Sequence, residues 1–265
     1  MIVHNFDPVL IDLGIFQIRW YSVAYILGII VGWWYGRIII KKQISDSNKK
    51  NYLNNFDDLI GYIIIGVIAG GRLGYIVFYN PAFYFENPLE IFKLWEGGMS
   101  FHGGLVGVIL TTYIFSNIKN LNYKLYFDTI SCVAPIGILF GRIANFINSE
   151  LYGLPTEKPW GVVFPKIDNI TRHPSQIYEA LLEGIILFVV LNLLIFKKRV
   201  NHGLISFLFL ILYGIFRIIS EQFRQPDEHI GYFLGYFSMG SILSLVMIVF
   251  GLIFLLKIIF DEQNR

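Results

Sequence analysis

Three arginines stand inside stretches of sequence that are otherwise apolar: Arg72, Arg142 and Arg217. An ionisable side chain is costly in apolar surroundings, and its presence there is by default a sign of function. The planar guanidinium group binds phosphate oxygens through two parallel hydrogen bonds. Arginines held together beneath a lipid-facing surface therefore predict a site for the headgroup of a phospholipid.

Further polar residues fall near the level of these arginines. Asn145 follows Arg142 by three positions, and Tyr213 precedes Arg217 by four, so each shares a helix face with its arginine. Together they predict a polar pocket rich in arginine. The other residues of this predicted pocket are Tyr21, His102, Asn148 and Glu150.

Several of these charges also have a structural interpretation. Arg217 could pair with Glu221, which stands four positions later on the same helix face. Arg37 lies one turn from Lys41 and is expected to reach water by extending along its helix. Tyr21 opens an apolar segment, where tyrosine is commonly an interfacial anchor.

The apolar segments that position these residues number seven, and each approaches the roughly 20 residues that a helix needs to cross a bilayer. The chain is 55% hydrophobic and 15% charged, whereas soluble domains contain about 25% charged residues. We therefore predict an all-α integral membrane protein with seven transmembrane helices in a single polytopic domain, residues 1–265. The predicted spans are Trp20–Ile40, Leu59–Tyr79, Gly98–Phe115, Phe127–Ile147, Ile177–Phe196, Leu204–Phe223 and Tyr236–Ile258.

The orientation follows from the basic residues outside the spans or at their ends. Eleven lysines and arginines fall on the side that contains the C-terminus, and six fall on the opposite side. Because Lys and Arg in short loops mark the cytoplasm, the N-terminus is predicted outside and the C-terminus in the cytoplasm. At 1.5 Å per residue, Arg142 then lies about 7 Å and Arg217 about 9 Å inside the extracytoplasmic ends of their helices.

Two segments outside the spans have a distinct composition. Residues 149–175 contain four prolines and two glycines, which is typical of turns. They predict a small extracytoplasmic cap between the fourth and fifth helices, with one short strand near Trp160–Phe164. Residues 1–19 mix apolar and charged side chains and are predicted to form an N-terminal arm along the membrane surface.

Composition also argues against several classes of function. The formal net charge of +2 does not suggest nucleic-acid binding, which usually needs a clustered basic face. Cys132 is the single cysteine, so no internal disulfide and no CxxC metal site can form, and no metal or cofactor is expected. Asp7 and Asp12 precede Arg19, which is the first Lys or Arg of the sequence, whereas a signal peptide begins with basic residues. The N-terminal segment is therefore not expected to be a signal peptide.

Four sequence motifs, which follow one another along the chain, are specific enough to indicate a protein family. The run Gly141–Gly153 (GRIANFINSELYG) resembles the signature of the prolipoprotein diacylglyceryl transferase family. The resemblance extends over nearly the whole chain. Its other motifs are Gly97–Gly104 (GGMSFHGG), Arg172–Glu179 (RHPSQIYE) and Tyr213–Asp227 (YGIFRIISEQFRQPD), with shorter matches at Phe6-Asp7-Pro8 and Arg19-Trp20-Tyr21.

The resemblance implies a reaction in the bacterial inner membrane. Family members transfer the diacylglyceryl group of phosphatidylglycerol to the lipobox cysteine in the signal peptide of a prolipoprotein, forming a thioether and releasing glycerol phosphate. This is the first step of lipoprotein maturation. The implied catalytic residues are Tyr21, His102, Arg142 and Arg217. The residues predicted to bind phosphatidylglycerol are Arg142, Asn145, Glu150, Gly153, Tyr213, Arg217, Glu221 and Arg224.

The chemistry of these side chains agrees with that reaction. The attacking group must be a thiolate, and His102 can accept the thiol proton or position the group that does. Arg142 and Arg217 can stabilise the charge that develops on the departing phosphate. The nucleophile belongs to the substrate, and Cys132, in the inner half of its span, is expected only to pack.

The main alternative is an anion or lipid transporter that uses the intramembrane arginines. A transporter predicts polar residues that continue toward the cytoplasmic side, but Val133–Phe140 and Phe207–Leu212 are apolar. A third interpretation, a lipid-binding scaffold without catalysis, leaves the His102 motif without a role.

Overall fold

The computed structural model describes residues 2–14, 17–197, 201–226 and 238–263. Within them, seven helices are long and apolar enough to cross a membrane, which confirms the predicted number of spans. The fifth span, Ser175–Ile195, is continuous and consists of α6 (Ser175–Glu179), a π-helical segment at Ala180–Ile186 and α7 (Leu187–Ile195). The helices are α1 Trp20–Gln43, α2 Asp46–Phe78, α3 Pro81–Glu86, α4 Phe101–Ile118, α5 Tyr123–Asn148, α6 Ser175–Glu179, α7 Leu187–Ile195, α8 Leu204–Glu221 and α9 Met239–Gln263.

Helix α2 is longer than the apolar stretch that predicted it. It begins at Asp46 rather than near Leu59, because hydropathy marks only the part of a helix that lipid surrounds. In its polar first turn Lys49 pairs with Asp46 at 2.5 Å. Arg37, expected to reach only water, pairs with Asp57 of α2.

The chain forms two compact units, and the smaller one is Arg37–Thr129. In it, glycines let α2 and α4 approach at backbone distance. A Cβ added to Gly103 would lie 2.7 Å from the Cα of Gly74, and one added to Gly74 would lie 2.6 Å from the Cα of Gly103. Such close contact between small residues is how membrane helices commonly pack. The glycines around His102 therefore allow the close approach of α2.

Arg72 organises the connection between α2 and α4. Its side chain is buried, and its guanidinium lies over the ring of Tyr84 at 5.1 Å. Arg72 therefore fixes the segment that leads to Ser100, the residue that caps α4 by accepting a hydrogen bond from the amide of Gly103 at 3.2 Å. The guanidinium donates hydrogen bonds to the carbonyl oxygens of Glu90, Ile91, Lys93, Gly97 and Gly98.

The larger unit contains Met1–Gly36 and Ile130–Arg265. Glycines again set the spacing of its helices. A Cβ added to Gly184, in the π-helical segment, would lie 2.8 Å from the Cβ of Leu139 on α5. One added to Gly214 on α8 would lie 2.7 Å from the Cγ1 of Ile248 on α9. This packing brings α5, the fifth span, α8 and α9 close enough for their polar side chains to meet.

The N-terminal arm and the cap are built partly from short strands. The predicted strand near Trp160–Phe164 is present as a shorter element inside that range, and the arm adds a neighbouring strand that the sequence did not predict. In the cap sheet, β1 (Ile2–Val3) pairs in parallel with β4 (Val162–Val163), which pairs antiparallel with β5 (Thr171–Arg172); β2 (Val9–Asp12) and β3 (Gln17–Arg19) form a separate antiparallel pair.

Candidate active site

Two fully buried carboxylates form the centre of the site. Glu179 ends α6 and Glu183 lies in the π-helical segment that follows, and both side chains are 0% exposed. Their spacing of four residues places them on one face of the fifth span. Because a buried carboxylate must be paired, cations on neighbouring helices are expected beside them.

Arg142 of α5 supplies the first cation. Its Nη1 lies 3.0 Å from the Oε2 of Glu179, and its Nη2 lies 3.0 Å from the Oε2 of Glu183. The guanidinium fork therefore spans two carboxylates rather than gripping one. This arrangement fixes the plane of the Arg142 guanidinium relative to the fifth span.

Arg217 of α8 contacts the same carboxylates from another helix. Its Nη1 lies 2.5 Å from the Oε1 of Glu179 and 3.6 Å from the Oε1 of Glu183, and its Nη2 lies 2.6 Å from the Oε2 of Glu221. The pairing of Arg217 with Glu221 that the sequence suggested is thus present. Arg224 completes the set, with its Nη1 3.7 Å from the Oε1 of Glu179.

We call these six residues the arginine–glutamate cluster: Arg142, Glu179, Glu183, Arg217, Glu221 and Arg224. Its three arginines and three glutamates have no net charge together, which lowers the free-energy cost of burying the cluster in apolar surroundings. The exposed fraction of the six side chains is 13% or less. Removing one partner of such a buried pair typically costs about 3–5 kcal/mol, because it leaves a buried charge without compensation.

Neutral side chains of α8 surround the cluster. Ser220 is fully buried, and its hydroxyl donates to the Oε1 of Glu183 at 3.2 Å. Tyr213 is 1% exposed and lies close enough to Glu183, Arg142 and Arg217 for their charges to act on its hydroxyl. The structure therefore brings Tyr213 to the arginines, as its position one turn before Arg217 predicted.

A second polar group lies one turn beyond Arg142, at the end of α5. The amide nitrogen of Asn145 is 3.3 Å from the hydroxyl of Tyr21 and 3.3 Å from the Oε2 of Glu150, to both of which it donates. The amide of Asn148 donates to the Oε1 of Glu150, also at 3.3 Å. Asn145 therefore joins Tyr21 and Glu150, and all three are among the predicted site residues.

The backbone around Glu150 is held in a tight turn. Ser149 and Leu151 both have positive φ angles, 60° and 55°, which non-glycine residues adopt only when neighbours fix them. Gln176 donates to the carbonyl of Glu150 at 2.6 Å, and Ser175 donates to that of Leu151 at 2.8 Å. The first turn of α6 thus sets the position of Glu150.

Gly153 packs between two backbone segments. Its amide donates to the carbonyl of His173 at 3.0 Å. An added Cβ would lie 2.6 Å from the carbonyl oxygen of Phe223 and 2.7 Å from the Cβ of His173. Packing alone therefore requires glycine here, and contact between Gly153 and phosphatidylglycerol stays a prediction.

His102 and Arg72 belong to the smaller unit. His102 is half-buried in the first turn of α4, with its ring edge-on to that of Phe101 at 5.6 Å. The convergence of His102 with the arginines of the larger unit stays a prediction. Arg72 donates its hydrogen bonds to backbone carbonyl oxygens, so its charge has a structural role in the connection between α2 and α4.

Glu179 and Glu183 are absent from the residues that the sequence assigned to the site. Both lie within the predicted fifth span, so the rule that flagged the arginines applies equally to them. Glu179 also ends one of the four family motifs. Their partners are in other helices, at distances in sequence that no local pattern connects.

The site combines fixed cations with hydrogen-bonding groups at the end of α5. Three guanidinium groups can bind and stabilise an anion such as a phosphate. The tyrosine, asparagine and glutamate beyond them can bind hydroxyl groups. Within the described parts of the chain, no group of three or more His, Cys, Asp or Glu side chains is arranged to hold a metal ion.

The seven apolar helices and the buried arginine–glutamate cluster define a multi-pass membrane protein with an ionisable site among its helices. Residues 8–257 match the family model of prolipoprotein diacylglyceryl transferase, and the chain belongs to that family. It is therefore a transferase of lipoprotein biosynthesis, as the sequence motifs indicated.

Individual relatives support this assignment over nearly the full length. The phosphatidylglycerol–prolipoprotein diacylglyceryl transferase of Rickettsia bellii is 48% identical over 255 residues, which cover 96% of this chain and 95% of the relative. The enzyme of the same name from Rickettsia typhi is 47% identical over 253 residues, 95% of this chain and 96% of the relative. The enzyme of that name from Methylocella silvestris is 48% identical over 248 residues, which cover 93% of this chain and 91% of the relative.

Proposed function

We propose that this chain transfers the sn-1,2-diacylglyceryl group from phosphatidylglycerol to the lipobox cysteine of prolipoproteins. The thiol loses its proton, and a C–S bond forms to the glyceryl carbon. The C–O bond between that carbon and the phosphate ester oxygen breaks, and glycerol phosphate leaves. The family match over residues 8–257 is the observation that carries this proposal, because the names of the relatives state both substrates.

Arg142 and Arg217 are proposed to bind the phosphate and to stabilise the charge that it gains as the C–O bond breaks. Their positions support this role, because α5 and α8 bring both guanidinium groups to the same pair of carboxylates and so place the two cations side by side. Tyr213 and Arg224 are proposed to line the same phosphate site. Glu179 and Glu183 hold the guanidinium of Arg142 in place before the substrate arrives, and such a preorganised cation favours catalysis.

Tyr21, Asn145 and Glu150 are proposed to bind the glycerol of the headgroup. The amide of Asn145 already lies 3.3 Å from the hydroxyl of Tyr21 and 3.3 Å from the carboxylate of Glu150. A glycerol hydroxyl can replace one of these contacts, because it both donates and accepts hydrogen bonds. His102 is proposed as the base that removes the thiol proton; Tyr21, Glu150 and the lipid phosphate are the other candidates.

The proposed setting is the bacterial inner membrane, with the site toward the extracytoplasmic face. The excess of basic residues on the side of the C-terminus supports this orientation. The chain is proposed to be one polytopic domain, with residues 1–19 as an interfacial arm and residues 149–175 as an extracytoplasmic cap. Phosphatidylglycerol, other membrane lipids and signal peptides with a lipobox are the proposed partners.

The test is a transfer reaction with purified components. The protein in detergent is incubated with phosphatidylglycerol and a synthetic lipobox peptide, and the peptide is analysed by mass spectrometry. A mass increase equal to one diacylglyceryl group is expected, and a matched peptide with serine in place of cysteine should remain unmodified. An unmodified cysteine peptide would contradict the proposal and would leave the transporter alternative.

A further inference from the structure

The forks of the two central arginines are occupied by carboxylates. The terminal nitrogens of Arg142 lie 3.0 Å from Glu179 and 3.0 Å from Glu183. Those of Arg217 lie 2.5 Å from Glu179 and 2.6 Å from Glu221. A phosphate that binds both terminal nitrogens of Arg217 therefore takes the place of a carboxylate.

The net charge of the cluster leads to the same conclusion. Three arginines and three glutamates sum to zero when all are ionised, and a lipid phosphodiester adds one negative charge. An uncompensated charge is strongly unfavourable in an apolar interior. If one glutamate leaves its arginine as the phosphate arrives, the buried set returns to neutrality.

The three glutamates differ in their freedom to move. Glu179 and Glu183 are 0% exposed and lie within the fifth span, packed against α5 and α8. Glu221 is 10% exposed and is the last residue of α8. A Cβ added to Gly240, in the first turn of α9, would lie 3.3 Å from the Oε1 of Glu221, so a glycine leaves that side of the carboxylate uncrowded.

We propose that Glu221, which the family resemblance implied to bind phosphatidylglycerol, is instead an exchangeable counter-charge. It neutralises Arg217 in the lipid-free enzyme and gives up the Nη2 of Arg217 to the phosphate of phosphatidylglycerol. Glu183 remains in place throughout. It stays paired with Arg142 and continues to accept the hydrogen bond from the hydroxyl of Ser220. This inference rests on the proposed function and adds the event by which the substrate enters a site that is already neutral.

The first test measures the affinity of the full-length protein in detergent for a short-chain phosphatidylglycerol, without peptide. Glu221→Gln removes the competing charge but keeps the shape of the side chain, so binding should become about tenfold tighter. Glu221→Asp retains the charge and should not tighten binding. If Glu221→Gln binds the lipid as weakly as the wild type, or more weakly, Glu221 does not compete with the phosphate and the proposal is wrong.

The second test uses the wild-type protein and does not depend on a variant. A water-soluble carbodiimide with an amine nucleophile labels accessible carboxylates, and mass spectrometry locates the label. Phosphatidylglycerol should increase labelling of Glu221 and leave Glu183 unlabelled; unchanged or decreased labelling of Glu221 would overturn the exchange.

The two proposals fail in different ways. If the wild-type protein does not modify the lipobox peptide, the proposed function fails. If it modifies the peptide while Glu221→Gln binds phosphatidylglycerol no more tightly, only the exchange fails.

Discussion

Arg142 and Arg217 each direct their two terminal nitrogens to different carboxylates, and a lysine ammonium cannot reproduce that fork. We predict that Arg142→Lys and Arg217→Lys each lower turnover at least about 100-fold. Arg37→Lys is the matched control, because the pair of Arg37 with Asp57 is about one-third exposed and exposed pairs contribute little.

The measurement for these arginine variants is transfer to the lipobox peptide, alongside the amount of protein inserted in the membrane. Normal insertion with lost transfer is the expected result for both central arginines. Near-normal turnover in both would place the phosphate elsewhere.

His102 is predicted to act as general base. His102→Gln should then retain lipid binding but lower turnover by roughly 10²- to 10⁴-fold. Turnover of the variant should recover as the pH rises toward the thiol pKa of about 8.5, because solvent then supplies the thiolate. A pH profile at saturating phosphatidylglycerol tests this; weaker lipid binding without recovery would instead make His102 a headgroup ligand.

Single residues show what the sequence could and could not predict about the site. The arginines were recognisable because isolated charges in apolar segments are costly. The contacts of Asn145 with Tyr21 and Glu150 join residues up to 124 positions apart, and only the folded chain defines them. Arg72 was recognised as unusual, but its partners are backbone carbonyls, which carry no signal in the sequence.

Among the elements, α2 and α4 depend on glycine at their crossing. Gly103→Ala adds a methyl group that would lie 2.7 Å from the Cα of Gly74, so the helices must separate. We predict a loss of about 1–3 kcal/mol in the free energy of unfolding, measured by thermal denaturation in detergent. Gly61→Ala is the control, because an added Cβ there meets nothing within 4 Å and alanine favours the helix.

The strand β1 is attached to the cap through a buried histidine. The amide of His4 donates to the carbonyl of Val163 at 2.9 Å, and its Nδ1 lies 3.2 Å from the hydroxyl of Ser149. Burial lowers the pKa of His4 below its usual 6.5, and Lys166 acts in the same direction. Because the folded-state pKa is depressed, the stability that His4 contributes is complete above pH 6.5 and declines as the pH falls through the folded-state pKa.

We therefore predict that acidification from pH 7.5 to pH 5 releases β1 from β4. Hydrogen-exchange protection factors of the His4 amide, corrected for intrinsic rates, should fall over this range. His4→Phe keeps an aromatic ring among Phe6, Phe146 and Phe164 but cannot titrate, so its protection should be independent of pH. Equal pH dependence in both proteins would exclude His4 as the cause.

The elements themselves were predictable to different degrees. All seven spans followed from hydropathy, whereas the polar start of α2 did not, because it extends beyond the apolar stretch. No local pattern in the sequence predicts the π-helical segment at Ala180–Ile186, in which Gly184 packs against Leu139 of α5. Strand β1 needs a partner from the cap, and two-residue strands carry almost no pattern of their own.

At the scale of the whole molecule, orientation decides which leaflet supplies the lipid and from which side the signal peptide approaches. Eleven basic residues outside the spans or at their ends lie on the predicted cytoplasmic side and six on the other. Lys41 and Lys42 lie in the last turn of α1, and Lys49 and Lys50 lie in the first turns of α2. The four lysines therefore flank the short connection between these two helices. Such a cluster in a short connection is a strong determinant of topology.

We predict that a reporter fused after Arg265 is cytoplasmic and that a reporter inserted near Thr156, in the cap, is extracytoplasmic. An alkaline phosphatase fusion, which is active only outside the cytoplasm, should be inactive at the first position and active at the second. Replacing Lys41, Lys42, Lys49 and Lys50 with glutamine serves as the matched variant and should weaken this preference, because it removes charge without altering the spans. If both wild-type reporters lie on one side, the predicted number of membrane crossings between them is wrong. If their sides are exchanged, the arginine–glutamate cluster lies toward the cytoplasmic leaflet. Secreted precursors do not present their lipobox there after translocation, so that result would contradict the proposed orientation.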